Sequence, residues 1–392
     1  MAETKNNVVW IDCAKFLAIL GVLVDHGKGI LYEGENIQYL SFFSVSAFFF
    51  LSGMTSWYSL ERRRQEETYL RWTGRRLWRI LAPYLAAVAV CQFVKSGFQL
   101  SLGPYVLWAL HFNLEGQFYF VLIYLQLIAA APVLYLLTVF CRRGRLSVLW
   151  RSGYLAAALA ASIFSVKHTL ALETYGGGNY LMGGTFLFLF VMGMIAADMQ
   201  IEIRYRSRAA VCAAASLVLL ALSAAFLLTD RLALDEGLFG WLLRVNPPGI
   251  TITVYSLAVL FFLFSWCSLG ALLNSPAADR LLSLLAWLGR YTLYIFLYHM
   301  LILDCLPLVF PFLTEMSLLK TAVYLGAMTG LPIGGKVLYD AFRRRMMKKA
   351  AAESILRTKG TAAESVLRTK GAAAESALRP KGEAAKLSRR SE

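Results

Sequence analysis

The chain has 392 residues, of which 58% are hydrophobic and 16% charged. Soluble domains carry roughly 25% charged residues, so this composition points to lipid as the solvent. The apolar runs are too long and too many for a soluble core, and each approaches the ~20 residues that cross a bilayer. They lack the roughly 10-residue alternation of a lipid-facing barrel. The net charge is +15, unevenly spread: from Arg343 onward there are 14 Lys/Arg against 5 Glu, a net +9, which leaves +6 for the first 342 residues. Basic loops of membrane proteins record orientation, so the charge requires no nucleic-acid partner.

Ten spans are predicted in chain order: 8–26, 37–58, 80–100, 117–140, 149–165, 181–199, 209–228, 250–272, 286–306 and 317–338. Lipid demands that the backbone satisfy its own hydrogen bonds, so each is a helix. The expected fold is all-α, a polytopic helical membrane protein with about ten transmembrane helices. With the N-terminus inside, the inner segments hold 16 basic residues and the outer loops four, Lys28, Lys167, Arg231 and Arg244. The positive-inside bias therefore predicts both termini inside. Alanine-rich stretches at 156–161 and 209–215 suit close helix packing. Gly176-Gly177-Gly178 marks a flexible outer turn. Trp241 and Phe239 suit the membrane interface in the long outer loop 229–249.

The N-terminus lacks a basic start and a small-residue cleavage site, so its first apolar run reads as a retained helix. The six cysteines form no CxxC and lie mostly inside apolar runs, which suits packing better than zinc or disulfides. The chain divides into a membrane region, 1–340, and a basic tail, 341–392. The tail repeats Ala-Ala-Glu-Ser with a period of 11, at 351–354, 362–365 and 373–376. Each copy places Glu and Arg four apart, but Gly360, Gly371 and Gly382 interrupt the pattern. A weakly helical or disordered cytoplasmic arm is expected, with anionic headgroups as an alternative partner.

The first span contains Asp12, Lys15, Asp25 and His26. Ionisable groups inside an apolar helix are expensive and mark function by default. At about 100° per residue, Lys15 to His26 falls within about 20° of whole turns, and Asp12 to His26 within about 40°. Asp12, Lys15 and His26 therefore share one face. Asp12 and Lys15, three apart, can neutralise each other, or Lys15 can snorkel to the inner surface. Asp25 is a weak orienter for His26, because adjacent helical residues do not face one another.

Lys15, ten intervening residues and His26, within Asp-x-x-Lys-Phe-Leu-Ala-Ile-Leu-Gly-Val-Leu-Val-Asp-His, resembles the first-helix signature of the integral membrane acyltransferase 3 family. Four further segments match in order. Phe48-Phe-Phe-Leu-Ser52-Gly53-Met54 is similar to the family's Phe-x-x-Ser-Gly-Phe segment. Arg75-Arg76-Leu-Trp-Arg79-Ile-Leu-Ala-Pro83-Tyr84 resembles its Arg-rich helix entry. Trp108 through Glu115-Gly-Gln-Phe118-Tyr119-Phe120 resembles its Trp…Glu-x-x-Phe-Tyr-Leu stretch. Leu288-Gly289-Arg290 through Tyr298-His299 is similar to its late helix ending in Tyr-Leu-x-His. The resemblance covers about residues 8–340. Lys15 stands where Arg is commoner, and Met54 where an aromatic is usual.

The resemblance implies an O-acyltransferase of the bacterial inner membrane. It would move an acyl group, commonly acetyl, from acyl-CoA to a hydroxyl of an envelope carbohydrate. No bound cofactor or metal is expected; acyl-CoA is a co-substrate. His26 maps onto the proposed catalytic histidine, which would take the hydroxyl proton as general base. Asp12 and Lys15 join it as catalytic candidates, Ser52 as an oxyanion donor, and Glu115 as an acid/base or acceptor-binding group. Tyr119 and His299 are candidate acceptor contacts. Arg71, Arg75, Arg76 and Arg79 suit the phosphates of CoA, although a short inner loop is basic for topology alone. Two other classes stay open: a membrane transporter of polysaccharide or small molecules, and a noncatalytic partner of a synthase complex.

Overall fold

The computed structural model describes residues 3–63, 67–142, 146–167, 181–233, 246–273, 275–313 and 315–377. His168, the 176–178 glycines, Phe239, Trp241 and Arg244 lie outside the described residues, as do the side chains of the tail repeat. The described chain is helical, and the one bridge pair is Lys28 with Tyr32. The helices are α1 (Glu3–His26), α2 (Glu35–Ser41), α3 (Phe43–Glu61), α4 (Tyr69–Lys95), α5 (Leu102–His111), α6 (Tyr119–Cys141), α7 (Ser147–Lys167), α8 (Thr185–Asp198), α9 (Arg206–Ala233), α10 (Ile250–Leu272), α11 (Pro276–Gly289), α12 (Thr292–Val309) and α13 (Leu318–Ala377).

Each expected span falls largely on helix, and among the described residues seven helical segments are long and apolar enough to cross a membrane. Helix α8 is apolar but only 14 residues long. Three boundaries differ from expectation. The ninth span is two helices, α11 and α12, parted at Arg290 and Tyr291. Helix α5 falls between the expected third and fourth spans. Helix α4 starts at Tyr69, so the arginines 71–79 stand on its first turns rather than in a loop. Thr68 caps it, its hydroxyl accepting from the Arg71 amide at 3.2 Å.

Residues 1–333 and 334–392 form two compact units. The backbone of the second stays helical to Ala377, where a weakly helical or disordered arm is expected. Alanine and the Glu/Arg spacing favour helix, and a glycine costs only about 1 kcal/mol.

In the first unit one continuous apolar core carries Phe49, Trp57, Trp72, Tyr84, Phe118 and Phe190, all buried. Outward, α9 exposes Val211, Val218, Leu222 and Phe226. In water such a stripe is a liability; against lipid tails it is the expected face.

Glycines set the helix spacing. A Cβ on Gly53 would collide with the Phe190 carbonyl oxygen, and one on Gly193 with that of Phe50. This reciprocal pair seats α3 on α8 backbone to backbone. Gly289 does the same for α11 against the Asp12 carbonyl of α1. In lipid, close approach replaces the missing hydrophobic drive between helices.

Charged groups tie one end of the bundle. The Asp198 carboxylate, fully buried, accepts from Arg151 at 2.5 Å and from Arg142 at 3.4 Å. Arg142 also faces Glu61 at 3.8 Å, and the Tyr135 hydroxyl donates to Glu61 at 2.6 Å. These contacts join α3, α6, α7 and α8 at what is called here the basic end.

Candidate active site

Helix α1 carries both halves of the candidate site. At the basic end, Asp12 and Lys15 line a cleft of about 760 Å³ with Arg62, Arg63, Arg71 and Arg75. Glu67 completes the charges, giving five cations against two carboxylates, a net +3. Two pairs are internal. Lys15 Nζ donates to Asp12 Oδ1 at 3.1 Å. Arg75 grips Glu67 with both terminal nitrogens, at 2.7 and 3.0 Å. Arg62, Arg63 and Arg71 then have no carboxylate partner among the described residues. The Arg63 guanidinium carbon lies over the Tyr69 ring, 4.1 Å from its centroid. Three guanidiniums around one cleft, with no carboxylate partner among the described residues, have the chemistry to hold a multiply charged anion such as phosphate.

The remaining arginines lie elsewhere. Arg76 covers the Trp72 ring at 5.5 Å, and Arg79 is exposed on α4; neither lines the cleft. Arg62, Arg63, Glu67, Thr55, Tyr58 and Ser59 are cleft residues that no motif singled out. The run Arg62-Arg63 was legible only as a topogenic loop.

At the opposite end of α1, His26 meets His299 of α12, with ring centroids 5.1 Å apart and planes inclined at 44°. His299 is fully buried. Its Nδ1 lies 2.8 Å from the Phe296 carbonyl oxygen. A carbonyl only accepts, so Nδ1 carries the proton, and Nε2 of the neutral ring presents a lone pair. That Nε2 has no hydrogen-bond partner among the described residues. Asp25 does not orient His26: its Oδ1 accepts from Gln38 Nε2 at 3.0 Å.

Around this pair, Tyr119 opens α6 beside Phe120, whose ring is 4.8 Å from Phe296. Glu115 is buried and paired with Lys95 at 2.8 Å; the same ammonium holds Asp304 of α12 at 3.1 Å. Burial pushes the Glu115 carboxyl above its ordinary range, and Lys95 pulls it back. Lys95 and Asp304 were not expected at the site. An ionisable group in an apolar helix was the available signal for both. Gln117 is buried with both ends of its amide unpartnered among the described residues.

Ser52 is not brought to the histidines. A Cβ on Gly21 would lie 3.0 Å from the Ser44 Cβ, so these residues mark one level of the antiparallel α1 and α3. Ser52 lies about 12 Å from that level toward the basic end, and His26 about 7.5 Å the other way. Ser52 instead precedes Gly53, where α3 crosses α8.

The match to known proteins agrees with this geometry. The model of the acyltransferase 3 family, described as an acyltransferase domain, matches residues 8–336. The chain belongs to this family. The protein is a multi-pass membrane acyltransferase. No curated protein and no solved structure matches the chain. The matched region takes in α1 from residue 8 to His26 and every residue of the cleft and the histidine pair. Two of the acyltransferase motifs are explained by packing: Gly53 and Gly289 hold α3 and α11 at backbone contact.

Proposed function

We propose that the protein transfers an acyl group, commonly acetyl, from acyl-CoA to a hydroxyl of an envelope carbohydrate in the bacterial cytoplasmic membrane. In this reading both termini and the basic end face the cytoplasm, where acyl-CoA is made. The observation that carries the reading is that the arginine cleft and the histidine pair share one helix. Lys15 and His26 are eleven residues apart, about 16 Å along the axis. The pantetheine arm of CoA runs about thirteen bonds from phosphate to sulfur, ~15 Å at the reach per bond of an extended peptide. Phosphates seated at Arg62, Arg63 and Arg71 therefore put a thioester within reach of His26.

The chemistry then closes. A carbohydrate hydroxyl is a weak nucleophile, and His26 takes its proton as the oxygen attacks the thioester carbon. The new C–O bond forms, the C–S bond breaks, and the imidazolium returns the proton to the CoA thiolate. In this reading Glu115 and Tyr119 bind acceptor hydroxyls from the opposite end. Asp12 holds Lys15 at the cleft wall.

Purified protein in liposomes, given acetyl-CoA and a carbohydrate mixture, tests this by thiol release. Wild type is expected to release CoA, and folded His26→Ala to release about 10²–10⁴-fold less. Wild type that releases none across several donors and acceptors overturns the reading and favours transport.

A further inference from the structure

We propose that His299 is a positioning residue: its Nε2 accepts a hydrogen bond from His26 and holds that ring as the base. The proposal rests on His26 acting as base. Three observations carry it. His299 is fully buried, and Phe296 fixes its Nδ1 as the protonated nitrogen. Its Nε2 lone pair is therefore presented to its surroundings with no partner among the described residues. The next ring is that of His26, at 5.1 Å between centroids.

That separation leaves room for the bond, which His26 closes by turning its ring toward the unpartnered Nε2. Each imidazole nitrogen lies about 1.1 Å from its ring centre, so a linear N–H···N bond of ~2.9 Å puts the two centres about 5.1 Å apart. His26 is half-buried at the last residue of α1. Rotation about its side-chain bonds delivers an N–H to Nε2 of His299. A buried lone pair left unpaired costs roughly 1–3 kcal/mol, which this bond recovers.

The role follows from what else could orient His26. Its chain neighbour Asp25 is engaged by Gln38. A neutral histidine then takes the place that a carboxylate fills in a catalytic triad. One nitrogen of His26 donates to His299, so the other carries the lone pair that takes the hydroxyl proton. When His26 becomes imidazolium, the bond to Nε2 strengthens, because its donor is now charged. The second proton stays free to pass to the CoA thiolate. His299 neither gains nor loses a proton in the cycle.

The test uses the full chain in detergent, with acetyl-CoA as donor and CoA release as readout. His299→Leu removes the acceptor, and His299→Gln restores an oxygen that can accept. The expected result is a kcat loss of roughly 10- to 100-fold for His299→Leu, with KM for acetyl-CoA unchanged and most of the loss regained in His299→Gln. Folded His299→Leu with wild-type turnover overturns the proposal. So does a folded His299→Gln as slow as His299→Leu. NMR of nitrogen-labelled histidine gives a second readout that needs no His299 variant, since the chain has only 4 histidines. Assignment uses His26→Phe, His111→Gln and His168→Gln. The His299 signals should report a protonated Nδ1 and an Nε2 whose shift moves in His26→Phe. An Nε2 shift indifferent to His26→Phe overturns the proposal. Full turnover in His26→Ala is a separate outcome, and it removes the base reading itself.

Discussion

Gly289 lies against the carbonyl of Asp12 so closely that no side-chain carbon fits between them. The contact fixes α11 on α1 one turn from Lys15, at the wall of the basic cleft. Gly289→Ala must push the two helices apart. Overpacking of this kind costs about 1–3 kcal/mol. A lower thermal midpoint in detergent and a raised KM for acyl-CoA are the expected results.

Gly53 and Gly193 meet at one crossing of α3 and α8. Either alanine variant alone forces the helices apart. Once they are apart, the second alanine enters space already opened. The double variant should therefore cost less than the sum of the singles, as a double-mutant cycle on unfolding would read.

Arg71 lines the cleft and has no carboxylate partner among the described residues, whereas Arg79 is exposed outside it. A hydrogen bond to a charged group contributes about 1.5–3 kcal/mol. Arg71→Ala should raise KM for acyl-CoA roughly 10- to 100-fold with kcat little changed, and high salt should narrow the difference. Arg79→Ala should leave both constants near wild type. Steady-state kinetics on the two variants decides whether the cleft, or basic charge in general, binds the donor.

Asp198 has a fully buried carboxylate held by Arg142 and Arg151. Removing one partner of a buried pair strands the others, at about 3–5 kcal/mol. Asp198→Ala should therefore lower the thermal midpoint sharply. Its remaining folded fraction should keep its KM for acyl-CoA, because none of the network's residues lines the cleft.

Ser52 stands ~20 Å along the bundle axis from His26. Ser52→Ala should keep turnover within about twofold, the tolerance of a site away from chemistry. A hundredfold loss, measured by thiol release, would show that the donor reaches it in another conformation.

The residues of α1 were the most legible part of this protein. Composition alone demanded lipid-embedded helices, because no water is present there to satisfy a bare backbone. Charges at Asp12, Lys15 and His26 stood out because burying them is expensive. Helix boundaries were read less well. Thr68 begins α4 with a cap where hydropathy begins it much later, since hydropathy ignores end geometry. The break at Arg290–Tyr291 was hidden because both sides of it are apolar.

The sequence by itself determined the solvent, the all-helical class and the family, since each depends on composition or on residues close in the chain. Only the tertiary structure decided which groups meet. His26 and His299 are 273 positions apart, and no periodicity within one helix can register α1 against α12. Among the arginines, the fold chose Arg62, Arg63, Arg71 and Arg75 for the cleft and turned Arg76 and Arg79 away. Helical phase and backbone contact at Gly289 and Gly53 made that choice, because helices in lipid settle where their small residues let them touch.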